Sequence, residues 1–250
     1  MCSVILAGLS LRSLADDVGD SPASAELLST GSVTRIIERY ADKDVFQFTV
    51  LPYVTNRVTV TTGTVWDCEV ELLTPSGMGL VTFTNTAASA PYTLQIHSTG
   101  SAYRSFVTIK SLAEFSTGSY QVALGYVFTD SDGDGLPDAW ELAKFGSITN
   151  AMEDGDADLD GFADRGEWLA GTDPNSAASA LRIQKIQPVT NWTAVTWTSV
   201  PDGLYRLSRA SSPTGGWNAV PDLTLAESNT ATRSVSGAVT AEFFRVEFVY

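Results

Sequence analysis

Between Asp130 and Glu167 the chain sets carboxylates at one spacing and then repeats it. In the first copy Asp130, Asp132 and Asp134 take positions 1, 3 and 5 of a loop, with Gly135 at 6, Asp138 at 9 and Glu141 at 12. The second copy places Asp156, Asp158, Asp160, Gly161, Asp164 and Glu167 at the same positions. Leu136 and Phe162 fall at position 7, where the backbone carbonyl is the donor. A hard cation of calcium's size takes six to eight oxygens at about 2.3 to 2.6 Å, and alternate side chains of a tightly turning loop supply them. Solvated acidic loops need neither glycine at one fixed offset nor glutamate at another. The doubled pattern therefore reads as sites for at least two Ca²⁺ ions, and the rigid octahedron of magnesium suits it less well. These loops and the chain around them predict a mainly β protein: two antiparallel β-sandwiches, jelly-roll or fibronectin-like, joined by a small calcium-binding loop-helix module.

A short helical pattern follows each loop. Pro137 suits a first helical position, Asp138 and Glu141 favour the amino-terminal turn, and Gly146 after Phe145 reads as the stop. Tyr120 to Thr129, which leads into the first loop, reads as a strand, whereas an EF-hand enters its loop from a helix. Position 8 also departs from an EF-hand, holding Pro137 and Ala163. The run Asp132-Gly133-Asp134-Gly135-Leu136-Pro137-Asp138-Ala139-Trp140-Glu141, closed in the second copy by Glu167-Trp168-Leu169-Ala170-Gly171-Thr172-Asp173-Pro174, resembles the thrombospondin type 3 repeat-like calcium modules of bacterial secreted proteins. The resemblance covers Asp130 to Pro174 and implies that Asp154 and Asp173 reach a neighbouring ion. Dockerins are the nearby rival, but their partner-contacting positions carry Ala139, Trp140, Arg165 and Gly166 here, which gives a cohesin partner no support.

Charge is concentrated in the same stretch. Residues 130–174 hold ten Asp, three Glu, one Lys and one Arg, so −11 of the formal net charge of −14 lies there. Such a balance argues against nucleic acid, which needs clustered Lys and Arg against phosphate, and against an anionic membrane surface. No apolar run approaches the ~20 residues of a spanning helix. Two cysteines, Cys2 and Cys68, make no disulfide framework and no zinc spacing. Val4 to Leu11 is a short apolar run, and Ser13-Leu14-Ala15 has the small-x-small look of a cleavage site without a basic segment before it. A signal remnant, the end of a preceding domain and an ordinary strand all stay open for residues 1–15.

Residues 16–129 read as strands: Val33 to Arg39, Val45 to Leu51, Arg57 to Thr62, Val65 to Leu73, Leu80 to Phe83, Tyr92 to His97, Phe106 to Lys110 and Tyr120 to Phe128. Phe46, Phe48 and Val50 would make one inward face. Asp16-Asp17-Val18-Gly19-Asp20-Ser21-Pro22, Asp42-Lys43-Asp44-Val45-Phe46, Leu72 to Gly77 and Gly118 to Leu124 resemble the bacterial pre-peptidase carboxy-terminal domain, a small β-sandwich appended to exported enzymes. That resemblance implies a further calcium site among Asp16, Asp17, Asp20, Asp42 and Asp44, and in some members matrix or polysaccharide binding. Taken alone, the same acids read as solvated groups at strand ends.

After a small-residue linker at 175–180, residues 181–250 offer six strand patterns in Leu181 to Gln187, Thr193 to Thr198, Leu204 to Arg209, Trp217 to Val220, Arg233 to Val235 and Glu242 to Val249. A second, fibronectin-sized sandwich is expected. Trp192, Trp197, Trp217, Tyr205 and Tyr250 either form a sugar-stacking platform or fill a core, and aromatic residues of small sandwiches more often fill the core.

No catalytic constellation stands out. His97 is the one histidine, no G-x-S-x-G elbow accompanies it, and nothing selects a carboxylate pair from the 29 acids. The reading is a non-catalytic, secreted or cell-surface bacterial module: 16–129, a sandwich; 130–174, the calcium module; 175–180, the linker; 181–250, the second sandwich. The alternative is a carbohydrate- or matrix-binding accessory region of a secreted hydrolase. The connector's own core looks too small to hold without metal. Extracellular calcium would fill even a site of ~10⁻⁴ M, whereas a cytosol would leave it empty.

Overall fold

The computed structural model describes residues 18–63, 67–85, 91–112, 117–236 and 242–250. Residues 1–15, Asp16 and Asp17 lie outside them. Among the described residues nine strands build the first sandwich: β1 (Glu26–Leu27), β2 (Gly31–Ile37), β3 (Lys43–Val50), β4 (Thr55–Thr62), β5 (Cys68–Leu73), β6 (Gly79–Asn85), β7 (Tyr92–His97), β8 (Tyr103–Ser111) and β9 (Gly118–Val127). One sheet runs β1-β3-β8-β5-β6, the other β2-β9-β4-β7. Their pairings are antiparallel except the short β1, which runs parallel to β3.

Alternation explains the core. Phe46, Phe48 and Val50 point between the sheets, as expected, and meet Val58, Val60, Val107, Ile109, Val122 and Leu124. The opposite face of β3 is covered too, with Val45 packed against Leu73 and Phe106 and flanked by Ala25. Cys68 is a buried core residue.

Two helices follow, α1 (Asp138–Phe145) and α2 (Asp164–Ala170), each ended by a glycine in the left-handed region, Gly146 (φ 72°) and Gly171 (φ 73°). Pro137 occupies the N-cap of α1, one position before the helix rather than inside it. The connector's small core does not stand alone. Leu136, Trp140, Ala151, Trp168 and Leu169 share one cluster with Leu51 and Val54 of the β3–β4 turn, and Tyr53, Tyr126 and Phe128 pack against it. The Trp168 indole Nε1–H donates to the Pro52 carbonyl at 3.1 Å, and the Trp168 ring meets Tyr126 and Phe128 edge-on. The connector thus completes its apolar core with the end of the first sandwich.

The second sandwich holds β10 (Ile183–Val189), β11 (Trp192–Thr198), β12 (Leu204–Ala210), β13 (Asn218–Ala219), β14 (Thr224–Leu225), β15 (Thr230–Ser236) and β16 (Phe243–Phe248). One sheet runs β10-β11-β15; in the other β12 pairs with β13, β14 and β16. Here the aromatic platform dissolves. Trp197 and Tyr205 are sealed in the core with Val195, Leu207 and Val235, and Trp217 lies under the Arg245 guanidinium at 4.9 Å, leaving Trp192 and Tyr250 half-exposed. The two sandwiches touch: Thr49 Oγ1 donates to the Val249 carbonyl at 2.7 Å, and Arg104 N–H to the Asp202 carbonyl at 3.1 Å. No described helix is long and apolar enough to cross a membrane.

Candidate metal centre

The two acidic loops take the same backbone path. Position 4 has positive φ in both, at Gly133 (81°) and Leu159 (62°), and so does position 6, at Gly135 (92°) and Gly161 (91°). Glycine adopts that region without a Cβ clash, while Leu159 is held there against its preference. The first aspartate of each loop organises the turn. Asp130 accepts from the N–H groups of Gly133, Asp134 and Gly135, and Asp156 from those of Asp160 and Gly161. At position 5, Asp134 and Asp160 each use Oδ1 to accept the N–H two residues on, from Leu136 and Phe162.

These bonds aim the remaining oxygens inward. In each loop the three aspartates, 130, 132 and 134 or 156, 158 and 160, bring one carboxylate oxygen apiece within 4.8 Å of one another. Asp134 Oδ2, Asp158 Oδ2 and Asp160 Oδ2 are buried with no hydrogen-bond donor among the described residues. Glu141 joins the first loop with 0% of its surface exposed and neither oxygen bonded. Glu167 joins the second, also fully buried; Oε1 accepts from Thr172 Oγ1 at 3.0 Å and Oε2 has no donor. A buried carboxylate without a partner is costly, and a cation facing it removes that cost.

Electrostatics agree. Burial, reinforced by Asp134, Asp132, Asp138 and Asp130, pushes the Glu141 carboxyl up to about 7. Glu167 is likewise raised to about 7, by burial first and by Asp158, Asp160 and Asp164, against the Thr172 hydrogen bond. Asp132 and Asp158 are also raised, by burial and then by their neighbouring aspartates. Asp130 goes the other way: burial alone would raise it, but three backbone N–H donors hold it below the usual carboxylate range. The loops are thus short of positive charge at their centres.

Asp138 and Asp164, the position-9 acids, stay outside both clusters. Asp138 Oδ1 accepts Ser131 N–H at 2.7 Å, and Asp164 Oδ1 accepts Ala157 N–H at 3.1 Å, the position-2 amide in each case. They fasten the start of each loop to the helix after it. Leu136 sends its side chain into the shared core, and the Phe162 ring lies beside Gly166. Both keep their backbones at position 7. Asp154 is exposed, and Asp173 pairs with Lys144 Nζ at 3.2 Å. Spacing gave no hint of Arg182. Its Nη2 donates to the Asp160 carbonyl at 2.9 Å and lies 3.0 Å from Asp160 Oδ2, off the direction of a hydrogen bond, while Nη1 donates to the Ala177 carbonyl.

Residues 130–147 and 156–177 match the bacterial TSP3 repeat. The matched segments contain every acid of the two clusters together with Glu141 and Glu167. Outside the TSP3 repeats the comparisons are distant. No curated protein matches the chain. The pre-peptidase C-terminal domain of a collagenase from Bacillus anthracis is similar at 10% identity over 43% of this chain and 100% of that one, with a TM-score of 0.33. PliG, a periplasmic inhibitor of g-type lysozyme from Aeromonas hydrophila, is similar at 9% identity over 40% and 99%, with a TM-score of 0.25. A β-1,2-glucanase from Parabacteroides distasonis is similar at 8% identity over 90% of this chain and 36% of its own, with a TM-score of 0.31. Likenesses this distant carry no argument about activity. Away from the TSP3 repeats, His97 Nδ1 meets Thr55 Oγ1 at 3.2 Å on an exposed strand end.

Proposed function

We propose that the chain is a non-catalytic, calcium-rigidified structural region of a bacterial protein that works outside the cell. In this reading residues 130–174 hold two Ca²⁺ ions and fix the sandwiches of residues 16–129 and 181–250 across the linker at 175–180. The supporting observation is Glu141, sealed from solvent beside three converging aspartates with both oxygens unpartnered. The first ion would be held by Asp130, Asp132, Asp134, the Leu136 carbonyl and Glu141. The second would be held by Asp156, Asp158, Asp160, the Phe162 carbonyl and Glu167. Asp138 and Asp164 serve these sites by fastening the loops, a position that often acts on the ion through water.

An all-oxygen donor set favours a hard cation. Calcium bound to the folded state alone would stabilise it by about 2.7 kcal/mol at a hundred times the dissociation constant. The export reading rests on the same arithmetic, because millimolar calcium fills sites that a cytosol leaves empty.

Calorimetric titration of chelator-treated protein tests this directly. Uptake of two Ca²⁺ per chain is expected, with a higher melting temperature and slower proteolysis between residues 129 and 180. No heat of binding and an unchanged melting temperature would remove the basis for the reading.

A further inference from the structure

β6 is the last strand of its sheet; among the described residues no strand pairs with its outer side, where the Tyr92 hydroxyl donates to the Thr84 carbonyl at 3.3 Å. Such an edge offers a row of free N–H and C=O groups, and proteins ordinarily blunt it with charge, proline or a covering segment. Gly79-Leu80-Val81-Thr82-Phe83-Thr84-Asn85 contains neither charge nor proline. Its one irregularity, a register shift near Leu80, faces β5.

The strand is also open on its faces. Val81 and Phe83 pair with Leu72 and Val70 of the core, yet remain 37% and 36% exposed at its margin, where the Tyr92 ring lies 6.0 Å from that of Phe83. Met78 and Leu80 are 67% and 59% exposed. Charge singles out the same place. From Leu72 to Tyr103 there is no Asp, Glu, Lys or Arg, in a chain that is 18% charged and carries −14. Two copies would repel most strongly through residues 130–174, which hold −11 of that charge, and this uncharged stretch lies outside them. A charged partner would find nothing on it to recognise.

We propose that β6 is a self-association edge, where a second copy of this chain adds its own β6 antiparallel about a two-fold axis near Thr82. The arrangement is self-complementary: each edge supplies the donors and acceptors the other lacks, and each covers the other's Val81 and Phe83. Thr82 is the middle residue of the strand, so a pairing that uses its full length sets Thr82 opposite itself. Seven residues span only about 24 Å, at the small end of stable interfaces, so the dissociation constant is expected on the order of tens of micromolar.

Sedimentation equilibrium of the whole chain from about 1 µM to about 1 mM tests the proposal. A monomer–dimer equilibrium is expected, unchanged in EDTA because the edge contains none of the acidic loops. Thr82→Lys and Thr82→Glu should each weaken association at least tenfold, and an equimolar mixture of the two should restore it. Glu71 stands across from position 82 on β5, so the Lys variant also finds a partner in its own sheet and serves as the check that the fold persists, read by circular dichroism. A native chain that stays monomeric throughout overturns the proposal. So does association that vanishes in EDTA, or a mixture that stays monomeric while the native chain dimerises.

Discussion

Glu141 and Glu167 are the residues at which folding and metal oppose one another. Without metal, burial and the neighbouring aspartates raise both carboxyls to about 7, above the 4.5 of an unperturbed glutamate. Between those values the folded chain binds more protons than the unfolded one, so this contribution to stability is complete below about pH 4.5 and is lost as pH rises through 7. Calcium reverses the slope, because ligands must lose their protons to bind it. Melting temperatures in EDTA should therefore fall from pH 5 to pH 8, while in saturating calcium they should hold or rise. Glu141→Gln should make the EDTA profile shallower, with the Glu167 share remaining, and weaken calcium binding by tenfold or more, since it removes a charge and a bidentate donor. A slope in that variant equal to that of the native chain would assign the effect elsewhere.

Among the elements, α2 depends most on what lies outside it. Trp168→Ala should destabilise the folded chain by about 3 to 5 kcal/mol, through a cavity and the lost hydrogen bond to Pro52. The loss should persist in saturating calcium and lower the denaturant midpoint of the first sandwich as well, because Leu51 and Val54 share that cluster. A loss confined to the calcium-free protein would show the two parts to be uncoupled. The strands were largely legible in advance, since alternation at period two marks β3, β4 and β9 closely. β1 and β14 were not, at two residues each, too short to carry a period. Strand parity could have placed Trp197 and Tyr205 inside, because they alternate in step with Val195 and Leu207. The shared core was illegible, for Trp168 meets Pro52 across 116 positions of chain and no local pattern records that. At the acidic loops spacing revealed which residues converge. It did not show that Asp138 and Asp164 turn back to hold the position-2 amides.

At the scale of the molecule, Arg182 ties the second acidic loop to the sandwich that follows it. Arg182→Ala removes a cation beside Asp160, so calcium should bind the second loop a few-fold more tightly, within the ~1 kcal/mol of a partly exposed pair. It also removes donors to the Asp160 and Ala177 carbonyls, so residues 175–180 should be cut faster by protease even with calcium present. The contacts of Thr49 with Val249 and of Arg104 with Asp202 remain, so the sandwich should not come away. Equal cutting rates for variant and native chain would deny Arg182 this role. The apolar cluster beneath Trp168 also decides what can be transplanted. A gene fragment beginning at residue 130 would encode both acidic loops but leave their tryptophans without a seat, so the smallest portable piece must carry the first sandwich along.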